Sequence, residues 1–261
     1  MIQYQEKATV TLREQLSSEN VRLTLRSPQI AAAAQPGQFV MVRVGSGRDP
    51  LLSRPFSIHR VRTDGSIQIY FKVVGRGTAL LAGAREGDAL SVLGPLGNGF
   101  QFAEQPACLV GGGLGIAPLL FLADRLGGRG ADRGLDRIIL GGRTRAEVEP
   151  LIADFETTGI AVCATTDDGS YGLRGFVTKA FASLDLPAGC TVYCCGPEPM
   201  MAGMALLSRE RNLPCQVSVE SVMACGMGAC LGCSRPARNG EYVHVCLDGP
   251  VFDAEEMAWT I

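Results

Sequence analysis

The chain has 261 residues, 46% of them hydrophobic, and a formal net charge of −2, which is enough apolar material for two cores and a small appendage. Its basic residues are scattered, so there is no nucleic-acid or anionic-membrane footprint, and no apolar run approaches the ~20 residues needed to span a bilayer. Residues 1–6 lack the basic start and apolar stretch of a signal peptide, so a reducing cytoplasm is the expected compartment.

Short β-branched runs come first, at residues 8–12, 21–25, 39–44, 56–61, 67–74 and 89–93. Turn signals such as Gln35-Pro36-Gly37-Gln38, Thr63-Asp64-Gly65-Ser66 and Glu86-Gly87-Asp88 separate them. Evenly spaced strands without a long helix predict a closed antiparallel barrel of about six strands. Two stretches on it could do more than pack. Arg54-Pro55-Phe56-Ser57 offers a guanidinium, a ring and a hydroxyl, as a phosphorylated aromatic cofactor requires, though such a run is also an ordinary strand entry. Gly75-Arg76-Gly77-Thr78 precedes a short helical run, 79–84, and either turns its amides toward a pyrophosphate or is only a turn.

Past Phe100 the pattern becomes α/β. An apolar strand, 107–110, ends in Gly111-Gly112-Gly113-Leu114-Gly115-Ile116-Ala117-Pro118 and leads into a helix over 119–126. The glycines allow a phosphate close to the helix start, and Pro118 suits its first turn. The G-x-G-x-x-G fingerprint is absent, because Ile116 stands where its third glycine would fall. Strands at 137–140, 160–164, 191–195 and 216–219 alternate with helices starting near Arg145, Phe176 and Glu198. That alternation predicts a parallel sheet covered on both faces, with ligands at the carboxyl ends of its strands. Gly111 to Gly115, Gly141-Gly142-Arg143, Thr166-Asp167-Asp168-Gly169 and Cys195-Gly196-Pro197 all fall there. Arg143 and Arg145 are placed to reach a 2′-phosphate, and are equally ordinary exposed arginines.

Four of the ten cysteines cluster near the end: Cys225, Cys230, Cys233 and Cys246. Four residues, then two, then a longer gap separate them, the spacing of a plant-type [2Fe-2S] ligand set. Structural zinc favours two C-x(2–4)-C knuckles, and disulfides require an oxidising compartment. The other cysteines lie mostly in apolar strand-like runs, where cysteine serves as a small core residue. His59 and His244 read as structural, with proton relay or cluster tuning as the competing roles.

Taken in order, Arg54-Pro55-Phe56-Ser57, Gly75 to Thr78, Pro95-Leu96-Gly97-Asn98-Gly99-Phe100, the Gly111 to Pro118 run, Thr166 to Ser170, Cys195-Gly196-Pro197 and the cysteine insert resemble the ferredoxin-reductase superfamily. Within it the chain resembles the electron-transfer subunits of bacterial NAD-dependent dihydroorotate dehydrogenases, over essentially its whole length. The resemblance implies a β-barrel FAD domain over residues 1–101, an α/β parallel-sheet NAD domain over 102–219 and a small C-terminal [2Fe-2S] segment over 220–261. It implies that Arg54, Pro55, Phe56 and Ser57 bind FAD, Arg54 at the pyrophosphate, Phe56 along the flavin and Ser57 near its reactive N5. Phe71, Lys72, Val73, Gly77 and Thr78 complete that site. Gly111, Gly112, Gly113 and Gly115 with Cys195, Gly196 and Pro197 would frame NAD(H), and the four cysteines would hold the cluster.

The orotate chemistry would reside in an FMN-containing dihydroorotate dehydrogenase catalytic subunit, in a heterotetramer of two subunits of each kind. Electrons would run from dihydroorotate through partner FMN, [2Fe-2S] and FAD to NAD+ in pyrimidine biosynthesis. Two other oxidoreductases share these modules, the small subunit of an NADH-dependent ferredoxin:NADP+ oxidoreductase and a sulfide dehydrogenase. A non-catalytic redox sensor or zinc-stabilised binding protein is the alternative of another class. Met223, Met227 and Leu231 would form a partner-facing apolar patch, and Trp259 would pack in a core or interface.

Overall fold

The computed structural model describes residues 2–45, 47, 49–102, 105–128 and 133–259. The first part of the chain carries β1 (Tyr4–Gln15), β2 (Asn20–Arg26), α1 (Pro28–Ala33), β3 (Phe39–Arg43), β4 (Arg54–Val61), β5 (Ser66–Lys72), α2 (Arg76–Ala82) and β6 (Ala89–Leu96). The six strands close into the expected antiparallel barrel in the order β1-β2-β5-β4-β3-β6. Alternation decides what fills it. Val10, Leu23, Leu25, Val40, Val42, Ile58, Ile67 and Ile69 point inward at two-residue spacing and are buried together. Helix α1 was not expected. Its first turn is held by Glu6 of β1, whose carboxylate accepts from the Ser27 hydroxyl at 2.5 Å and the Ile30 N–H at 3.0 Å.

The α/β part runs β7 (Ala107–Gly112), α3 (Leu119–Gly127), β8 (Arg137–Gly142), α4 (Arg145–Glu156), β9 (Ala161–Thr166), β10 (Leu173–Arg174), α5 (Val177–Ala182), β11 (Thr191–Cys195), α6 (Glu198–Glu210) and β12 (Cys215–Ser218). The last segment adds a hairpin of β13 (Ser234–Pro236) and β14 (Tyr242–His244), then β15 (Val251–Asp253). One sheet holds β10-β9-β8-β7-β11-β12-β15. All of its pairs are parallel except the last, in which β15 runs antiparallel to β12. The wholly parallel sheet expected from alternation is corrected at that edge. The cysteine segment returns to close the sheet instead of hanging from it.

Charged side chains fix the barrel to the α/β part. Arg22 of β2 donates to Glu14 at 2.8 Å and also to Asp154 of α4, and Arg60 of β4 donates to Asp124 of α3 at 2.8 Å. Between them His59 is fully buried, with Nδ1 2.8 Å from the Ala117 carbonyl, and burial lowers its pKa to about 4. It is therefore a neutral packing residue, as expected. Trp259 is half-buried against the core and donates Nε1–H to the Ala254 carbonyl at 2.9 Å, which is core packing. No helix among the described residues is long and apolar enough to cross a membrane.

Candidate functional site

Three groups of sequence-predicted residues meet where the barrel, the parallel sheet and the cysteine segment touch. On the barrel, strand β4 carries the Arg54 to Ser57 run beside β3, with Pro55 opposite Met41 and Ser57 opposite Phe39. Met41 and Phe39 belong to the core shared with the sheet and with Cys233 and Cys246, so Ser57 and Pro55 lie on the face turned toward the cysteines. Phe56, one residue out of phase, points into the barrel and packs on Phe71, ring centroids 5.2 Å apart. That leaves its ring little free surface.

Arg54 lies against Gly77, where a Cβ would come within 2.7 Å of Arg54 Nε, and its guanidinium also donates to the Leu52 carbonyl. The absence of a side chain at 77 thus makes room for the guanidinium. Thr78 accepts the Val74 and Gly75 N–H groups at 2.9 and 3.1 Å, which places its hydroxyl in service of the turn. Val73 packs on the barrel core, and Lys72 pairs with Glu19 at 2.7 Å.

The two motifs of the sheet also meet. A Cβ on Gly115 would lie 2.3 Å from the Cys195 backbone, so only glycine lets the Gly111 to Gly115 turn rest on Cys195-Gly196. Burial pushes the Cys195 thiol far up, leaving it neutral. Beside this contact lies a cleft of about 290 Å³ lined by Gly112, Gly115, Gly196, Pro197, Glu220 and Arg235. Arg235 reaches it from β13 and pairs with Glu198 at the start of α6, at 2.8 Å.

A larger cleft, about 480 Å³, runs over the carboxyl ends of β7, β8 and β9, and Asn20, Tyr70 and Lys72 of the barrel form its other wall. Among the described residues, two buried polar atoms lining this cleft have no partner: Asn20 Oδ1 and Thr165 Oγ1, on residues 5% and 2% exposed. Orphaned buried polar atoms carry a free-energy cost that a bound polar ligand removes. Burial pushes the Tyr70 hydroxyl up to about 12, so it stays neutral. Arg143, in the lining of this cleft, and Arg145 are each paired with a carboxylate one helical turn on, Glu147 and Glu149. Asn20, Tyr70 and Thr165 were not anticipated, since their importance depends on elements that meet only in three dimensions. Phe176, exposed at the mouth of the cleft, had a legible signal as an apolar ring just before a helix.

The four cysteines converge as two pairs. Cys233 Sγ is 3.2 Å from Cys246 Sγ, and Cys225 lies within hydrogen-bonding reach of Cys230. Four cysteine sulfurs gathered as two pairs suit the four-thiolate ligand set of a [2Fe-2S] cluster. Backbone amides aim at the sulfurs: Gly228 N–H lies 3.1 Å from Cys246 Sγ and Met227 N–H 3.5 Å from Cys225 Sγ. Burial opposes ionisation of Cys225, but the amides of Met227, Cys230 and Ala229 together with the Cys230 side chain bring it down to about 6. Cys246 is pushed up to about 12 by burial and by the neighbouring Cys233. A cation is what would let both sulfurs of that pair ionise together.

Gly226 has φ +74°, and a Cβ there would lie 2.5 Å from Met41 Cγ, so the loop sits directly on β3. Met223 is buried at 8% exposure and so is corrected out of the surface patch, while Met227 and Leu231 are exposed. His244 Nδ1 is 3.5 Å from Asp248 in the turn before the last strand.

Comparison with known proteins decides the family. A model described as the iron-sulfur cluster binding domain of dihydroorotate dehydrogenase B matches residues 220–258, and one for an oxidoreductase FAD-binding domain matches 7–101. The dihydroorotate dehydrogenase B (NAD(+)) electron transfer subunit of Bacillus caldolyticus is 41% identical, over 97% of this chain and 98% of its own. That of Fusobacterium nucleatum is 35% identical over the same shares.

The chain belongs to the family of dihydroorotate dehydrogenase B electron transfer subunits.

A solved structure of an NADH-dependent reduced ferredoxin-NADP oxidoreductase is also similar, with a TM-score of 0.86 and 30% identity over 97% of this chain and 90% of that one. The ferredoxin reductase of carbazole 1,9a-dioxygenase, 23% identical with a TM-score of 0.69 over 82% of this chain and 68% of that one, shares the fold. Membership accounts for the three converging groups, because the family joins an FAD-binding domain to an iron-sulfur segment.

Proposed function

We propose that this chain carries electrons from a catalytic dihydroorotate dehydrogenase subunit to NAD+, and that the observation supporting this most directly is the seating of the cysteine loop on β3. Through Met41 the loop touches the strand beside Arg54 to Ser57, so an iron-sulfur site and a flavin site share one wall. When bound, FAD exchanges a hydride with the nicotinamide and single electrons with a [2Fe-2S] cluster. The chain's own residues position and insulate. Arg54 holds a pyrophosphate by charge-assisted hydrogen bonds, with Gly77 giving it room. Pro55 and Ser57 form the wall facing the cysteines, Ser57 offering its hydroxyl near the flavin N5. Phe56 and Phe71 close the barrel behind that wall, while Thr78 fixes the adjoining turn, Val73 packs on the barrel core and Lys72 pairs with Glu19.

Gly111, Gly112, Gly113 and Gly115 frame the nicotinamide nucleotide with Cys195, Gly196 and Pro197, whose neutral thiol adds bulk without charge. Cys225, Cys230, Cys233 and Cys246 would hold the cluster, which would supply single-electron transfer, and the amides of Met227 and Gly228 donate to the sulfurs. The partner is an FMN-containing catalytic subunit in a 2+2 heterotetramer, with exposed Met227 and Leu231 toward it. Ten unpaired cysteines suit a reducing cytoplasm.

The test is a visible spectrum of anaerobically purified protein, with iron, sulfide and FAD assayed before and after NADH. Flavin bands, about two irons per chain and bleaching by NADH support the reading, and flavin without iron refutes it. The similarity to the ferredoxin-NADP oxidoreductase favours one second reading, a small subunit of such an enzyme. Co-purification decides between them: an FMN subunit supports the first, and a large subunit with [4Fe-4S] clusters supports the second.

A further inference from the structure

Among the described residues, two cations line the larger cleft, and each is tied to a carboxylate. Lys72 is held by Glu19 at 2.7 Å. Arg143 donates from Nε to Glu147 Oε1 at 2.9 Å, and its backbone N–H donates to Glu147 Oε2, also at 2.9 Å. The Glu147 carboxylate folds back over Gly142, where a Cβ would come within 3.3 Å of its Oε2. Asp167, just past β9, adds another carboxylate to the lining, and the unpartnered Thr165 hydroxyl lies two residues before it. At the carboxyl ends of such strands a carboxylate accepts from a free ribose 2′-hydroxyl, whereas a free arginine accommodates a 2′-phosphate. That phosphate is close to a dianion at neutral pH.

We infer that Glu147 and Asp167 restrict this cleft to a nucleotide with a free 2′-hydroxyl, Glu147 acting by holding Arg143 so that its guanidinium cannot receive a 2′-phosphate. The inference rests on reading this cleft as the place of the nicotinamide nucleotide's adenosine half. Arg143, which the sequence alone places within reach of a 2′-phosphate, here serves the opposite preference. Glu147 is a positioning residue, so the difference should appear in KM and not in kcat.

The experiment measures kcat and KM for NADH and NADPH with the flavin-loaded complex of this chain and its catalytic partner. In Glu147→Gln the ratio of kcat/KM for NADH to that for NADPH should fall about tenfold, through a lower KM for NADPH. Adding Arg143→Ala to that variant should restore the ratio. Asp167→Asn, at an exposed position, should lower the ratio independently, and inhibition by adenosine 2′-monophosphate should strengthen in both single variants. An unchanged ratio in folded, flavin-loaded Glu147→Gln overturns the inference, and so does a fall that survives Arg143→Ala. Phe176→Ala separates the two levels. A rise in KM for both nucleotides with an unchanged ratio supports the cleft, whereas no change in either KM overturns the cleft and the selectivity with it.

Discussion

Gly226→Ala should loosen the cysteine loop from the barrel by an amount that follows from two separable contributions. The residue sits at φ +74°, where a side chain costs roughly 1–2 kcal/mol. The new Cβ would also stand 2.5 Å from Met41 Cγ and 3.3 Å from Leu96 Cδ1, and overpacking of a filled contact costs roughly 1–3 kcal/mol. Together these give about 2–5 kcal/mol, a large share of a domain's stability. Gly240→Ala supplies the control. It has φ +86° in the same segment with nothing within 4 Å of the would-be Cβ, so it carries the backbone contribution alone. Urea unfolding of both variants, followed by flavin and cluster absorbance, should place Gly226→Ala lower by the contact contribution of roughly 1–3 kcal/mol. Cluster absorbance should be lost before flavin absorbance, since the strain lies in the loop. Equal stability of the two variants, with the cluster retained in both, would show that the loop does not bear on β3.

Cys230→Ser should remove the cluster and stop transfer to the partner while NADH still reduces FAD, as stopped-flow absorbance can check; equal loss of both steps on an intact fold would refute that division. Ser57→Ala should slow flavin reduction by NADH by roughly tenfold with FAD retention nearly unchanged, and normal kinetics would remove Ser57 from the reactive site. Arg22→Met should destabilise the protein by roughly 1–2 kcal/mol at neutral pH, less than for a fully buried pair because Glu14 and Asp154 keep some water contact. Hydrogen bonding from Arg22 holds the folded Glu14 carboxyl below its ordinary value despite burial. Its stabilisation is therefore present above the unfolded carboxylate range and is lost as pH falls through the folded value. The melting-temperature gap between wild type and Arg22→Met should accordingly narrow below about pH 4, and a gap that widens in acid would contradict the assignment.

The barrel was legible because its core obeys one short rule. Leu23 and Leu25, and Ile67 and Ile69, are two apart and both inward, and the turns between strands have distinctive composition. Helix α1 escaped because its cap comes from Glu6 on another strand, and no local pattern encodes a partner more than twenty residues away. Strand β15 escaped for a similar reason: three residues carry little periodicity, and β12 defines them only after the chain has returned. The four cysteines were readable from spacing, because the loop that gathers them is nearly contiguous. The larger cleft was only half readable. Its glycine turns stand out in one dimension, whereas Asn20 and Tyr70 join it through packing between domains. The pairing of Arg143 with Glu147 and of Arg145 with Glu149 was present all along as a four-residue spacing.

The antiparallel strand β15 makes the cysteine segment an excursion between adjacent strands. The chain leaves the sheet after Ser218 and rejoins it at Val251, opposite the residue it left, so the two ends of the insert stand about 5 Å apart. A module so attached can be exchanged as a cassette. Joining the strands by a tight turn would keep the strand order and remove the electron inlet, while uncovering Phe39, Met41 and Leu96, which share a core with Cys233 and Cys246. By the same geometry, the insert leaves and re-enters between neighbouring strands, so its presence does not change the threading of the sheet.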